Sequence, residues 1–463
     1  MPRVVLKSVP PGLPSQLDVD PNPRLGGEAA VYFSTDGKFA VKIYRGMPTQ
    51  REEALLQIMH LFQSLPPDQE TFILRPLALV ESIDNRSCVG FVMKRAPESF
   101  RELAEFVKNP ILAAKQFTKG RNWADYLKVA RSIARSVKVL HYRGCTHSDI
   151  HYSNFLANLA TGDAVMLELD GVVVPGFLPP NVAGMAGFMA PEILVSGERP
   201  NERTDRHSLA VLLMHTLLFR NVMQPLIEYS GNVEDSERLA WGEKALFSEH
   251  PKDRRHRPRN LGKPLFSQGC LSYRMLPLKV QHLAERAFIK GLCHPDKRPS
   301  AHEWENALAC AVDELYQCSR CRQYYPYQHW LPEVRRRRCP FCGEPAAQPP
   351  PLILHLYEPK GKGGFFEASD RFVVLGHRFK VFGDVLDPAR PVPPPSRRKE
   401  PVIARVIWDM SEGRWRIVND SLELISCIGD GAIQRARQGE SVVVAPGYQV
   451  QFGPESRLAL VKE

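Results

Sequence analysis

No run in the 463-residue chain approaches the roughly 18 consecutive apolar residues that span a bilayer. The first residues, MPRVVLKSVPPGLP, lack the apolar stretch of a secretory signal. A membrane-spanning class is therefore set aside, no membrane partner is expected, and a cytoplasmic location is the expectation. Ten cysteines are few for a disulfide-built scaffold of this length. Four of them stand as two Cys-x-x-Cys pairs, which in a cytosolic chain points to metal. Acidic residues fall short of basic ones, leaving a net charge of +10. Part of that excess is local, at Arg335 to Arg338 and Arg397-Arg398-Lys399. Such runs suit nucleic acid, acidic lipid or an acidic partner, or a solvated face. The length accommodates about two to four domains.

What is present is organised around Cys145 to Val172. An Asp followed five residues later by an Asn, as Asp149 and Asn154, suits a catalytic loop. The Asp can accept a hydroxyl proton while the Asn turns back to hold a metal ion, and an acid after a short hairpin can reach the same ion. Here that acid is Glu168 or Asp170, in the run Glu168-Leu169-Asp170-Gly171. Upstream, Leu25 to Tyr32 and Phe39 to Tyr44 alternate around Asp36-Gly37 and read as a β-hairpin with Lys42 on its second strand. Gln50 to Ser64 carries Leu55, Ile58, Met59 and Phe62 at helical spacing, with Glu52 and Glu53 at its start. Strands are expected at Ile73–Val80 and Val89–Met93, a long helix over Trp123–Tyr142 and another over Val211–Phe219.

His147-Ser148-Asp149-Ile150-His151-Tyr152-Ser153-Asn154 resembles the catalytic loop of protein kinases, with Ser148 in place of Arg. Ala40-Val41-Lys42-Ile43 resembles the kinase strand whose Lys pairs with the ATP phosphates, and Gly187 to Glu192 resembles the Ala-Pro-Glu segment. His294 to Ser300 resembles the late motif whose Arg pairs with that Glu, so Glu192 and Arg298 are expected as a structural ion pair. The resemblance implies a bilobal α+β kinase-like domain over residues 1–315. It also implies roles. Asp149 deprotonates or orients the substrate hydroxyl. Lys42, held by Glu52 with Glu53 as runner-up, positions the phosphates. Asn154 with Glu168 or Asp170 holds Mg²⁺. Gly26 and Gly27 come from a degenerate glycine loop in which Arg24 and Ala29 occupy the other glycine positions. His151 stands where many kinases have a Lys facing the transferred phosphate.

Cys318, Cys321, Cys339 and Cys342 have the spacing of a closed Cys₄ zinc site, with residues 322–338 between the pairs. A zinc ribbon is expected over 316–345 and a stiff Pro-rich linker over 346–351. Alternating segments at Leu352–Leu356, Arg371–Val381, Ile403–Trp408, Trp415–Val418, Glu440–Ala445 and Leu458–Lys462 imply an all-β sandwich over 352–463, with a loop at Pro388–Pro401. Trp415 to Ser421 and Gly447 to Gly453 resemble a forkhead-associated (FHA) domain. The Ser-Arg-x-x-His segment of that family is absent, so no phosphothreonine-binding residue is carried over.

The kinase-like part is similar to kinases of tellurite-resistance-type phosphorylation triads. This implies a Ser/Thr protein kinase using ATP, Mg²⁺ and Zn²⁺, with a protein substrate and, as partners, a von Willebrand A-type protein and a metal-dependent phosphatase. Two other readings stand beside it: a pseudokinase scaffold, motivated by the lost glycines and altered Asp-Phe-Gly, and nucleic-acid binding through the basic ribbon.

Overall fold

Alternation of apolar residues builds the N-terminal lobe. In the computed structural model, Phe39–Tyr44 lies in the middle of an eight-stranded antiparallel sheet. The structure describes every residue except 8, 47–48, 175–183, 332–337, 347, 361–364, 387–400, 454–455 and 463. Arg335–Arg337 of the basic run, and all but the last residue of the Pro388–Pro401 loop, thus lie outside the described residues. The strand order is Gln16–Asp18, Arg3–Lys7, Ala78–Ile83, Gly90–Lys94, Phe39–Tyr44, Ala29–Phe33 and Arg24–Leu25, with Arg86–Ser87 beside Ala78–Ile83. The expected hairpin is present, closed by Gly37 at φ +73°. Gly90 is required by close approach: a Cβ there would lie 2.4 Å from the Lys42 carbonyl oxygen. The strand expected to start at Ile73 begins at Ala78, and Ile73 instead bridges Met166 of the second lobe.

The helical lobe forms around Trp123–Tyr142, where Asn122 and Asp125 make a capping box and one face is apolar throughout. This helix packs on Glu202–Leu218 and Ala301–Ala311. The second of these three begins well upstream of the expected Val211, because Asn201 caps it, and stops where Phe219 turns left-handed at φ +57°. Phe155–Asn158 and Asp163–Met166 form the hairpin after the loop, with Arg101–Glu102 alongside. Glu192 and Arg298 meet as a bidentate pair at 2.6 and 2.8 Å, and Arg298 also donates to the carbonyls of Gly291 and Arg203.

The Cys hairpin does not build a core of its own. The first Cys pair lies in the turn between strands Leu315–Gln317 and Tyr324–Pro326, and Phe341 of the second is fully buried in the core of the helical lobe. Its ring lies 5.8 Å from Phe117, 6.5 Å from Trp123 and 6.0 Å from Phe266. Backbone hydrogen bonds from Leu265 to Pro340 and from Phe266 to Phe341 weld the knuckle in place.

The C-terminal part is a sandwich of a six-stranded and a four-stranded sheet around Leu354, Val406, Ile417, Val450 and Val461. Arg371–Val381 is not one strand. The chain turns at Gly376 to Phe379, with Arg378 at φ +66°, so Phe365–Leu375 and Lys380–Phe382 lie in different sheets. Three strands, Ile425–Gly429, Ala432–Ala436 and Gln449–Gln451, went unread in the sequence. Arg371 pairs with Asp313 at 2.8 Å and docks the sandwich on the helical lobe. No helix among the described residues is long and apolar enough to cross a membrane.

Because Phe341 belongs to the core of the helical lobe, Phe341→Ala should lower that lobe's unfolding free energy by about 3–5 kcal/mol. Urea unfolding followed by tryptophan fluorescence measures it. A helical-lobe midpoint equal to wild type would show the knuckle to be an independent module.

Candidate active site

Strand geometry aims Lys42 and Tyr44 to the same face, because alternate residues share a side. Both reach one carboxylate. Lys42 Nζ lies 2.8 Å from Asp170 Oδ2, and the Tyr44 hydroxyl donates to the same oxygen. Glu168 Oε1 stands 3.7 Å from Lys42. The two acids converge for a reason other than strand alternation. The strand ends at Met166, Glu168 is left-handed at φ +58°, and Asp170 sits in the 3₁₀ turn Leu169–Gly171. Their environments differ sharply: the Asp170 side chain is 4% exposed and that of Glu168 56%. Burial opposes ionisation of Asp170, but the charge and hydrogen bond of Lys42, the Tyr44 hydrogen bond and the Arg51 charge hold its carboxyl below the usual value. Burial and the Asp170 charge push the Tyr44 phenol far up, so it stays protonated and donates.

The expected partner of Lys42 on the first helix is a correction. Glu52 bonds Lys7 at 2.8 Å, not Lys42, and Glu53 is exposed. The helix Thr49–Leu61 buries Leu55 and Ile58, and Phe62 just after it is buried too. Arg51 lies four residues before Leu55 and seven before Ile58, on that same stripe, whereas Glu52 is rotated away by about 100°. Leu56, beyond the stripe, is exposed. It is thus Arg51 that turns inward. Its guanidinium lies 4.5 Å from the Tyr44 ring centroid and bonds Glu28 at 2.9 Å. Arg51 and Tyr44 were missed by sequence reasoning, although the helical stripe and the strand alternation both pointed to them.

The catalytic-type loop is pinned from below. Asp205, 1% exposed at its side chain, accepts from the backbone of His147 at 2.7 Å and of Ser148 at 3.0 Å and bonds His141 at 3.1 Å. Ser148 is left-handed at φ +64°. Asn154 Nδ2 donates to the Asp149 carbonyl at 2.9 Å and to its Oδ2 at 3.1 Å. His151 accepts from Ser153 N at Nδ1, so its Nε2–H donates to Asp149 Oδ2 at 3.1 Å. Burial opposes ionisation of Asp149, yet His151, His147 and Asn154 hold its carboxyl below the usual range. Asp149 and Asp170 therefore share one pattern. Each has Oδ2 fixed by two donors, and each has a buried Oδ1 with no partner among the described residues.

Gly26 and Gly27 sit in the exposed turn of a second hairpin, Arg24–Leu25 with Ala29–Phe33, and do not line the cleft beneath it. Neither has positive φ, and a Cβ at Gly27 meets nothing, so the backbone does not demand glycine there. Arg24 lines the cleft instead, its guanidinium 5.3 Å from the Phe33 ring centroid. The cleft holds about 730 Å³ and has Val31, Ala40, Met93 and Leu156 as apolar walls, with Lys42, Glu168 and Asp170 among its polar lining. That volume and mixture suit a nucleotide-sized ligand.

Two metal fits follow. An unpartnered buried carboxylate oxygen on Asp170 suits a hard cation, and the Glu168 carboxylate lines the same cleft. Separately, the Sγ atoms of Cys318, Cys321, Cys339 and Cys342 all lie within 4.8 Å of one another, with Cys318–Cys342 and Cys321–Cys339 at 3.6 Å. A zinc tetrahedron with Zn–S near 2.3 Å has edges of about 3.8 Å, whereas a disulfide needs about 2.05 Å. The residue after each pair, Arg322 at φ +60° and Gly343 at φ +78°, is left-handed, so the two knuckles turn alike. Burial opposes ionisation of Cys318, but the backbone N–H groups of Cys321 and Arg320 hold its thiol below the usual value. Burial pushes Cys321 up to about 12.

No family model matches the chain. The chain is 24% identical over 313 residues to protein kinase YegI of Escherichia coli K12, covering 63% of this chain and 44% of that protein. It is 25% identical over 315 residues to protein kinase YegI of E. coli O157:H7, covering 64% and 44%. With the probable L-type lectin-domain containing receptor kinase VII.2 of Arabidopsis thaliana it shares 26% over 216 residues, covering 43% and 31%. The chain spans less than half the length of these curated relatives. These similarities support a protein kinase-like chain with bacterial relatives.

Proposed function

We propose that the chain is a Ser/Thr protein kinase that transfers the γ-phosphoryl group of ATP to a protein hydroxyl. The observation that carries this is the shared pattern at Asp149 and Asp170, each with one oxygen fixed and one buried oxygen unpartnered. Val31, Ala40, Met93 and Leu156 clasp the adenine. Lys42, 12% exposed, places its ammonium toward the phosphates from beside Asp170. Asp149 takes the hydroxyl proton on Oδ1 as the hydroxyl oxygen bonds to the γ-phosphorus. The bond to the bridging oxygen breaks and ADP leaves. Asn154 fixes Asp149 with its Nδ2, which leaves its Oδ1 for a metal. Mg²⁺, when bound, supplies charge neutralisation of the phosphates. His151 keeps Asp149 oriented rather than serving as a cation on the transferred phosphate, since its Nδ1 already accepts from Ser153. The triad partners, a von Willebrand A-type protein and a metal-dependent phosphatase, remain part of this proposal.

The buried Asp170 is the principal metal acid and the exposed Glu168 an auxiliary one. With radiolabelled ATP and Mg²⁺, Asp149→Asn should lower phosphorylation by about 10²-fold or more. Asp170→Asn should do the same, and Glu168→Gln should lower it by about tenfold at most. Lys42→Met should abolish transfer. A wild-type chain that transfers nothing to itself or to partner proteins would leave the scaffold reading standing.

The Cys₄ cluster is proposed as a structural zinc site, since four thiols this close ionise together only around a cation. Purified chain should contain about one zinc, and Cys339→Ser should contain little while melting earlier, because metal binding is coupled to folding. Zinc-free wild type with unchanged melting would contradict the site.

A further inference from the structure

We propose that Tyr44 and Arg51 form a positioning relay that sets Asp170 for its metal and ties that acid to the hairpin covering the cleft. The inference rests on the kinase reading above and assigns residues to it. Lys42 has no acid of the first helix within ion-pair distance among the described residues; its partners are Asp170 and Glu168. The helix contributes a cation instead.

The links are continuous. Glu28, beside Gly26 and Gly27 at the hairpin tip, bonds Arg51 at 2.9 Å. The Arg51 guanidinium lies over the Tyr44 ring at 4.5 Å, an arrangement favoured by the negative face of the ring. The Tyr44 hydroxyl donates to Asp170 Oδ2, where Lys42 also bonds. Two donors on one oxygen fix the rotation of the carboxylate, and Oδ1 is the oxygen left without a partner. A tyrosine kept only for packing would suffice as phenylalanine, since its ring meets Phe91 at 6.3 Å. The hydroxyl bond to a buried carboxylate is what Phe lacks, and hydrogen bonds to charged groups are the strong ones. Hairpin closure over a nucleotide thereby reaches Asp170 through Glu28, Arg51 and Tyr44. Tyr44 and Arg51 touch no phosphate in this account and are positioning residues.

The test is calorimetric titration of the full chain with ADP, with and without Mg²⁺. In wild type Mg²⁺ should tighten ADP binding. Tyr44→Phe should cut that Mg²⁺-dependent gain by about tenfold and leave the Mg²⁺-free affinity within about twofold. Arg51→Met should cut the gain less, and Glu28→Gln by about threefold. A folded Tyr44→Phe chain with the full wild-type gain overturns the relay while leaving the kinase reading intact. If Tyr44→Phe does not fold, Glu28→Gln decides, because Glu28 is 74% exposed and its loss cannot unfold the lobe; an unchanged gain there overturns the relay. A wild-type chain that binds no ADP, or shows no Mg²⁺-dependent gain, overturns both readings.

Discussion

Lys42 and Asp170 form a buried ion pair 2.8 Å long between the strand-built and helix-built lobes, and the polar floor of the cleft is arranged around it. Removing one partner of such a pair leaves an uncompensated buried charge, which costs about 3–5 kcal/mol. The pair therefore fixes more than two side chains. It ties the 3₁₀ turn Leu169–Gly171 to the strand Phe39–Tyr44 and keeps Asp170 ionised despite its burial. Tyr44 and Arg51 extend the same network to the hairpin tip.

A second set of buried polar bonds holds the helical lobe in register with that pair. Asp205 ties the backbone at His147 and Ser148 to the Glu202–Leu218 helix, and Arg298 ties Glu192 to the carbonyls of Gly291 and Arg203. Each is a charged group satisfied by several partners, the condition under which a buried charge is tolerated. The Cys hairpin completes this lobe by inserting Phe341 beside Trp123 and Phe117, so the proposed metal site supports the scaffold under the loop rather than an appended module.

Much of this was legible in the sequence. The Trp123–Tyr142 helix was readable in full because its cap and apolar stripe agree. The Glu192–Arg298 pair was expected from the kinase resemblance of the two motifs that carry it, whereas Asn154, expected to face a metal, also bonds Asp149. The misread positions have local causes. Glu52 was expected as the partner of Lys42 from the kinase resemblance, but the rotation of the helix put Arg51 on the buried stripe. The choice between Glu168 and Asp170 stayed open in the sequence, because the left-handed residue and 3₁₀ turn that bring both beside Lys42 have no local signature there. Arg371–Val381 alternates like one strand, and only the turn at Gly376 sends its two halves to separate sheets. Positive-φ residues such as Glu168 and Arg378 carry no glycine to announce them.

The central claim is that Asp170, held by Lys42, is the acid on which metal and nucleotide meet. Electron paramagnetic resonance of Mn²⁺ added to the full chain with a non-hydrolysable ATP analogue tests it most directly. The account predicts bound Mn²⁺ only when the nucleotide is present, lost in Asp170→Asn and retained in Glu168→Gln. Nucleotide-dependent Mn²⁺ binding that survives Asp170→Asn would contradict it.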